Sequence, residues 1–174
     1  MKFFLNILIL LLLISCKDKV SFNEIELSHH SGWGVGNGTI LLDNNGNLID
    51  HQISLGSEPF NDSYYFKFKI NPETLQKISR FVKTLKNKQN NIADISKACP
   101  DCSTYSLKIV FSDSSVNEFI YYNSSKDKNI DSLNSILFKL TDRRKYNGLI
   151  PIKKKFNYKT YNRLLPKFTK PLDQ

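Results

Sequence analysis

The sequence lacks the short motifs by which most enzymes announce their chemistry. No GxSxG, HExxH or GxGxxG run and no phosphate-loop lysine occurs in its 174 residues. A nucleophile elbow, a two-histidine zinc helix and a nucleotide-phosphate cradle are therefore not encoded in recognisable form. The three histidines are His29, His30 and His51, with no second CxxC and no HxxxH to complete a zinc site around them. His29–His30 and Asp50–His51 are chain neighbours, and neighbours on a strand point to opposite faces. Neither pair sets an acid and a base side by side. The length excludes a large multidomain enzyme. No apolar run reaches the about 20 residues that span a bilayer. The chain is nonetheless built to fold: 12 Phe and 8 Tyr accompany abundant Ile and Leu, a composition unlike that of a disordered chain.

What is present begins at the N-terminus. Lys2 precedes the apolar run Phe3–Ile14, broken only by Asn6, and Ser15-Cys16 closes it. That run has the length of a signal-peptide core. Its end, Leu13-Ile14-Ser15-Cys16, resembles the lipobox of bacterial lipoproteins. The resemblance implies a signal peptide over 1–15, cleavage before Cys16, a thioether-linked diacylglycerol on Cys16 and fatty acylation such as palmitate on the new amino group. Two or more chains hold a protein stably on a bilayer, at about 0.8 kcal/mol per buried methylene. Residues 16–23 then form the anchor and tether. Lys17 stands where an inner-membrane retention signal carries Asp, so the expected address is the cell envelope, at the outer membrane. No cofactor other than this covalent lipid is expected.

With Cys16 lipidated, Cys99 and Cys102 remain, in Cys99-Pro100-Asp101-Cys102. In an oxidising envelope two such thiols pair, and Pro100 and Asp101 are turn formers that bring the sulfurs together. A redox-active CxxC opens a helix. Here Thr104–Phe111 follows and reads as a strand, so a structural disulfide is the expectation.

Periodicity places the rest. Glu24-Ile25-Glu26-Leu27 alternates as a strand does. Thr39–Leu42 and Leu48–Leu55 flank Asp43-Asn44-Asn45-Gly46-Asn47, a hairpin signal. Over Tyr64–Ile70, Tyr64, Phe66 and Phe68 share one face and Tyr65, Lys67 and Lys69 the other. Asn71-Pro72-Glu73 opens a helix, with cap, first-turn proline and acid in order. Leu75, Ile78, Phe81, Val82 and Leu85 form its apolar stripe. Residues 90–103 read as irregular. Thr104–Phe111 and Val116–Tyr122 predict a second hairpin about Ser112–Ser115, and Ile130–Thr141 a second helix. The order strands, helix, strands, helix predicts an α+β fold: an antiparallel β-sheet with both helices packed on one face, in a single domain over 24–142.

Charge is concentrated at the C-terminus. Residues 16–142 carry 14 basic and 15 acidic side chains, whereas 143–174 carry 10 basic and only Asp173. That tail includes Lys153, Lys154 and Lys155 and interleaves Tyr146, Phe156, Tyr158, Tyr161 and Phe168. A basic aromatic tail on an envelope protein suits anionic headgroups, lipopolysaccharide phosphates or an acidic protein, and nucleic acid is not expected in that compartment. The other reading is a tail that wraps the domain, packing its aromatics and leaving its lysine heads in water.

Four of the seven glycines fall in Gly32-Trp33-Gly34-Val35-Gly36-Asn37-Gly38. The segment is either a bulged connection with Trp33 turned into the core or a tip presenting Trp33, with Gly34 beside it, to a protein partner. A glycine-rich early hairpin, an amphipathic helix, the strand Tyr105-x-Leu107-x-Ile109 and a closing helix together resemble the emfourin-type inhibitors of thermolysin-like metallopeptidases over residues 24–142. That resemblance implies protease inhibition; the lipobox and basic tail depart from the family pattern. The leading expectation is a lipid-anchored envelope lipoprotein with a small non-enzymatic binding domain. The alternatives are an emfourin-like inhibitor and an envelope hydrolase.

Overall fold

A computed structural model describes residues 19–31, 37–53, 63–93 and 102–141. The elements are β1 (Phe22–His30), β2 (Asn37–Asp43), β3 (Asn47–Ile53), β4 (Ser63–Lys69), α1 (Pro72–Leu85), β5 (Asn91–Ile92), β6 (Thr104–Phe111), β7 (Val116–Tyr122) and α2 (Lys128–Leu140). The strands form one seven-stranded sheet in the order β4-β3-β2-β1-β6-β7-β5. Every pairing is antiparallel except β5 with β7, which is parallel. The fold is α+β, as the element order predicts. The stretch expected to be irregular contributes β5, two residues that pair at Asn91–Phe119 and Ile92–Ile120. A two-residue strand has too little periodicity to be visible in a sequence.

Local chemistry explains the remaining elements. The β2–β3 hairpin closes through Asp43, whose Oδ1 accepts the Asn45 and Asn47 N–H groups at 2.9 and 2.8 Å. Gly46 takes φ +81, a conformation that a side chain would strain. Asn71 caps α1, its Oδ1 accepting the Thr74 N–H at 2.8 Å, with Pro72 in the first turn. α2 begins two residues before the expected Ile130 because Asp127 caps it, accepting the Asn129 N–H at 2.8 Å.

Both helices lie on one face. Ile25 and Leu27 of β1, Ile40 and Leu42 of β2, and Leu107 and Ile109 of β6 form a continuous core with Ile78, Val82 and Leu85 of α1 and Leu133 and Leu137 of α2. An irregularity between Phe22 and Glu24 turns Phe22 into that same core. α1 crosses the end of the sheet at which β1 begins: Ser79 bonds Ser21, and the Leu85 carbonyl accepts Asn117 Nδ2 at 2.8 Å. α2 crosses nearer the other end, where Phe138 meets His29 of β1 edge-on at 5.2 Å between centroids and Tyr105 of β6 at 6.2 Å.

The second face departs from simple expectation. Strand register puts Glu24, Glu26, Ser28 and His30 of β1 there, with Thr39 and Leu41 of β2, His51 of β3, Thr104, Ser106 and Lys108 of β6, and Glu118 and Ile120 of β7. An alternating Glu-Ile-Glu-Leu strand normally leaves its glutamates in water. Here Glu26 is 8% exposed, and Ser28, Thr39, His51 and Ser106 are wholly buried.

Candidate functional site

The two ends of the sheet differ in kind. At one end the chain enters the fold through Ser21. Its N–H donates to Ser79 Oγ (2.9 Å), its hydroxyl donates to the Ser79 carbonyl (2.8 Å), and its carbonyl accepts the Ser112 N–H (3.2 Å). Asn23 adds a bond from Nδ2 to the Phe111 carbonyl at 3.1 Å. The tight turns at 43–47 and 112–115 lie at this end. The Lys86–Asp113 ion pair, 2.7 Å, lies beside the second of them. Lys86, with help from Ser115, holds the Asp113 carboxyl well below the usual carboxylate range. Lys88 lowers the Asp127 carboxyl at the start of α2 from its ordinary value.

At the other end lie His30 and Ser31, Asn37, Ile53, Ser63, Cys102 to Thr104, and Tyr122 with Asn123. The segments 32–36, 54–62 and 94–101 all connect to residues at this end. The glycine segment and the CxxC segment, about 65 residues apart in sequence, thus begin or finish on adjacent strands, because His30 of β1 pairs with Thr104 of β6. No local signal could show this, since it rests on the pairing of distant strands.

Two asparagines shape this end. Asn37 is buried, and its Oδ1 accepts the Ser31 N–H at 2.7 Å, clamping the residues on either side of the glycine segment. Asn123 sits at φ 52, a left-handed conformation that Asn tolerates better than most residues. Its N–H donates to the Ser103 carbonyl at 2.7 Å, its Oδ1 accepts the Ser103 N–H at 3.1 Å, and its Nδ2 donates to Cys102 Sγ at 3.4 Å. In the sequence Asn123 opens a polar run and Asn37 sits among glycines; only the conformational tolerance of Asn at a strand end hints at either role.

On the helix side of the same end, Tyr105 and Tyr121 stack with centroids 5.4 Å apart and rings inclined by 15°. The Tyr121 phenol is bonded by Asn134 Nδ2, and burial pushes its pKa upward. His29 points to this side and His30 to the other; Asp50 and His51 divide in the same way. Burial lowers the basicity of His30, and that of His51 further, to about 3. Among the described residues no group of three His, Cys, Asp or Glu side chains is arranged to hold a metal ion. No described helix is long and apolar enough to cross a membrane.

Of the residues singled out from sequence, Cys102 is half-buried just before β6 and touches Asn123. Cys16, Trp33, Gly34, Cys99, Lys153, Lys154 and Lys155 lie outside the described residues. The architecture defines a protein of the α+β class, with an entry end and a loop-bearing end. No protein-family model matches the chain, and no curated protein matches it in sequence.

Proposed function

We propose that the protein is a lipid-anchored component of the bacterial cell envelope, attached at Cys16 to the outer membrane. Its small domain then works as a non-enzymatic binding module. The supporting observation is distance along the chain. Only four residues, 17–20, lie between Cys16 and Ser21, where hydrogen bonds to Ser79 and Ser112 begin. Fully extended, the five steps from Cys16 to Ser21 span about 17 Å. A lipid on Cys16 would hold the entry end close to the bilayer. The loop-bearing end, a nine-residue strand away, would stand about 25–30 Å further out.

In this reading Trp33 and Gly34 belong to the membrane-distal tip that meets a protein partner, and a Cys99–Cys102 disulfide trims the neighbouring connection. Lys153, Lys154 and Lys155 are available to an anionic headgroup or an acidic protein. The test has two parts. Alkyne fatty acid fed to producing cells should label the parent chain and not Cys16→Ser. A photocrosslinker at position 33 should capture a discrete envelope protein, while the same group at position 45, in the entry-end turn, should not. An unlabelled, freely soluble parent overturns the anchor. Equal capture from both positions overturns the distal tip. Tight stoichiometric inhibition of thermolysin by the purified domain would establish the inhibitor alternative instead.

A further inference from the structure

α1 carries a run of like charge on its exposed side. Lys77, Arg80 and Lys83 are exposed, and exposed Lys86 follows at the end of the helix. These four stand three residues apart, so each neighbours another cation on the helix surface, an arrangement that destabilises a helix in water. Glu73, one turn before Lys77, is the acid in the first turn. Arg80 has Gln76 at the same spacing and Lys83 has Ser79. Lys86 is matched by Asp113; among the described residues no carboxylate pairs with Lys77, Arg80 or Lys83. A helix face built only to meet water commonly alternates the sign of its charges, and this one does not.

Helix geometry aims this ridge at the entry end of the sheet. Residues three, four and seven positions apart share a face, so Ser79, Lys83 and Lys86 form one stripe. Ser79 bonds Ser21, where the chain enters the fold, and Lys86 reaches Asp113 of the 112–115 turn. Lys83 lies between these two marks of the entry end, and Arg80 and Lys77 flank the stripe on its exposed side. Lys19, two residues before Ser21, is exposed as well. We propose that α1 faces the membrane and that its cationic ridge, Lys77, Arg80 and Lys83, docks on the anionic headgroups of the phospholipid surface beneath the entry end.

Attachment at Cys16, on which this inference rests, brings Ser21 within about 17 Å of the bilayer. A tether of that length keeps the domain near the membrane and leaves it free to tilt. Cations at its base select one tilt. Each basic residue close to an anionic surface favours the seated orientation about fivefold, and three together about 100-fold. The surface also relieves the repulsion within the ridge. An acidic protein would have to enter the narrow space between domain and bilayer, so lipid is the nearer source of negative charge. Seated in this way, the domain turns its loop-bearing end away from the membrane.

The experiment uses the full chain, reconstituted on phosphatidylcholine vesicles with or without phosphatidylglycerol. A photocrosslinker replaces Asn87, exposed one turn beyond Lys83, and in a second version Ser124, exposed beside Asn123 at the loop-bearing end. On the anionic vesicles, attachment to phospholipid read by mass spectrometry should be at least about tenfold greater from position 87 than from position 124. Lys77→Gln, Arg80→Gln and Lys83→Gln together should lower attachment from position 87 at least about tenfold, with the circular dichroism unchanged. Vesicles without phosphatidylglycerol, or high salt, should do the same. Attachment from position 87 that is absent, equal on both vesicles or undiminished in the triple variant overturns the docking. So does attachment in producing cells to an acidic protein in place of lipid. Alkyne fatty-acid labelling reports the anchor separately: an unlabelled chain overturns Cys16 attachment, and position 87 on anionic vesicles still decides the ridge.

Discussion

Acidification should destabilise this protein chiefly through His51. His51 lies on the second face, wholly buried, with Thr39 of β2 and Tyr65 of β4 as its cross-strand neighbours. Burial disfavours the charged imidazolium and holds the folded pKa at about 3, against an ordinary 6.5. Between those values the unfolded chain binds a proton that the folded chain does not. Stability therefore rises with pH across the window and is lost as pH falls below 6.5. Each unit is worth about 1.4 kcal/mol, so two units, from pH 6.5 to 4.5, remove about 2.7 kcal/mol. That is a large share of the ~5–15 kcal/mol that holds a typical domain together. Asp113 and Asp127, held low by Lys86 and Lys88, lose their contributions as pH falls below the ordinary carboxylate value of 3.8, a lower window. His30 is also lowered and shares the histidine window, so the comparison needs a variant. Urea unfolding at pH 7.5 and 4.5 is measured for the parent and for His51→Gln. The parent should lose about 2–3 kcal/mol more than the variant. Equal losses would refute the reasoning, and so would a His51 ring that titrates near 6.5 by NMR in the folded state.

Three further outcomes follow from single contacts. A Cβ at Gly38 would land on the His51 carbonyl oxygen of the paired strand, so Gly38→Ala should cost about 1–3 kcal/mol and lower the melting temperature measurably. Ser79→Ala removes a hydroxyl that accepts the Ser21 N–H and donates to the Ser21 hydroxyl at 3.0 Å; a loss of about 1–3 kcal/mol is expected, with faster amide exchange confined to the first residues of β1. At Asn123, with φ 52, Ala should be more destabilising than Gly by about 1 kcal/mol, because Gly keeps the left-handed conformation at no steric cost. Chemical denaturation of the two variants checks the order.

The elements that depend on near neighbours in the chain are legible in the sequence alone. Asp43 and Gly46 announce the β2–β3 turn, Asn71-Pro72-Glu73 the start of α1, and the alternation of Leu107, Ile109 and Phe111 the inward face of β6; each signal is a hydrogen bond, a backbone preference or a periodicity contained within a few residues. Other features needed the whole tertiary arrangement: the central place of β1 between β2 and β6, the parallel addition of β5, and the pairing that sets His30, before the glycine segment, beside Thr104, after the CxxC. Burial of Glu26, Ser28, Thr39 and His51 belongs with them. Pairing partners are chosen by how the apolar faces of β1, β6, α1 and α2 close around one core, a competition among contacts far apart in the chain, such as the hydrogen bond between Asn23 and Phe111, 88 residues apart, and the ring contact between His29 and Phe138. A polar residue on an alternating strand reads as solvated from the sequence, whereas its burial is a property of the folded chain.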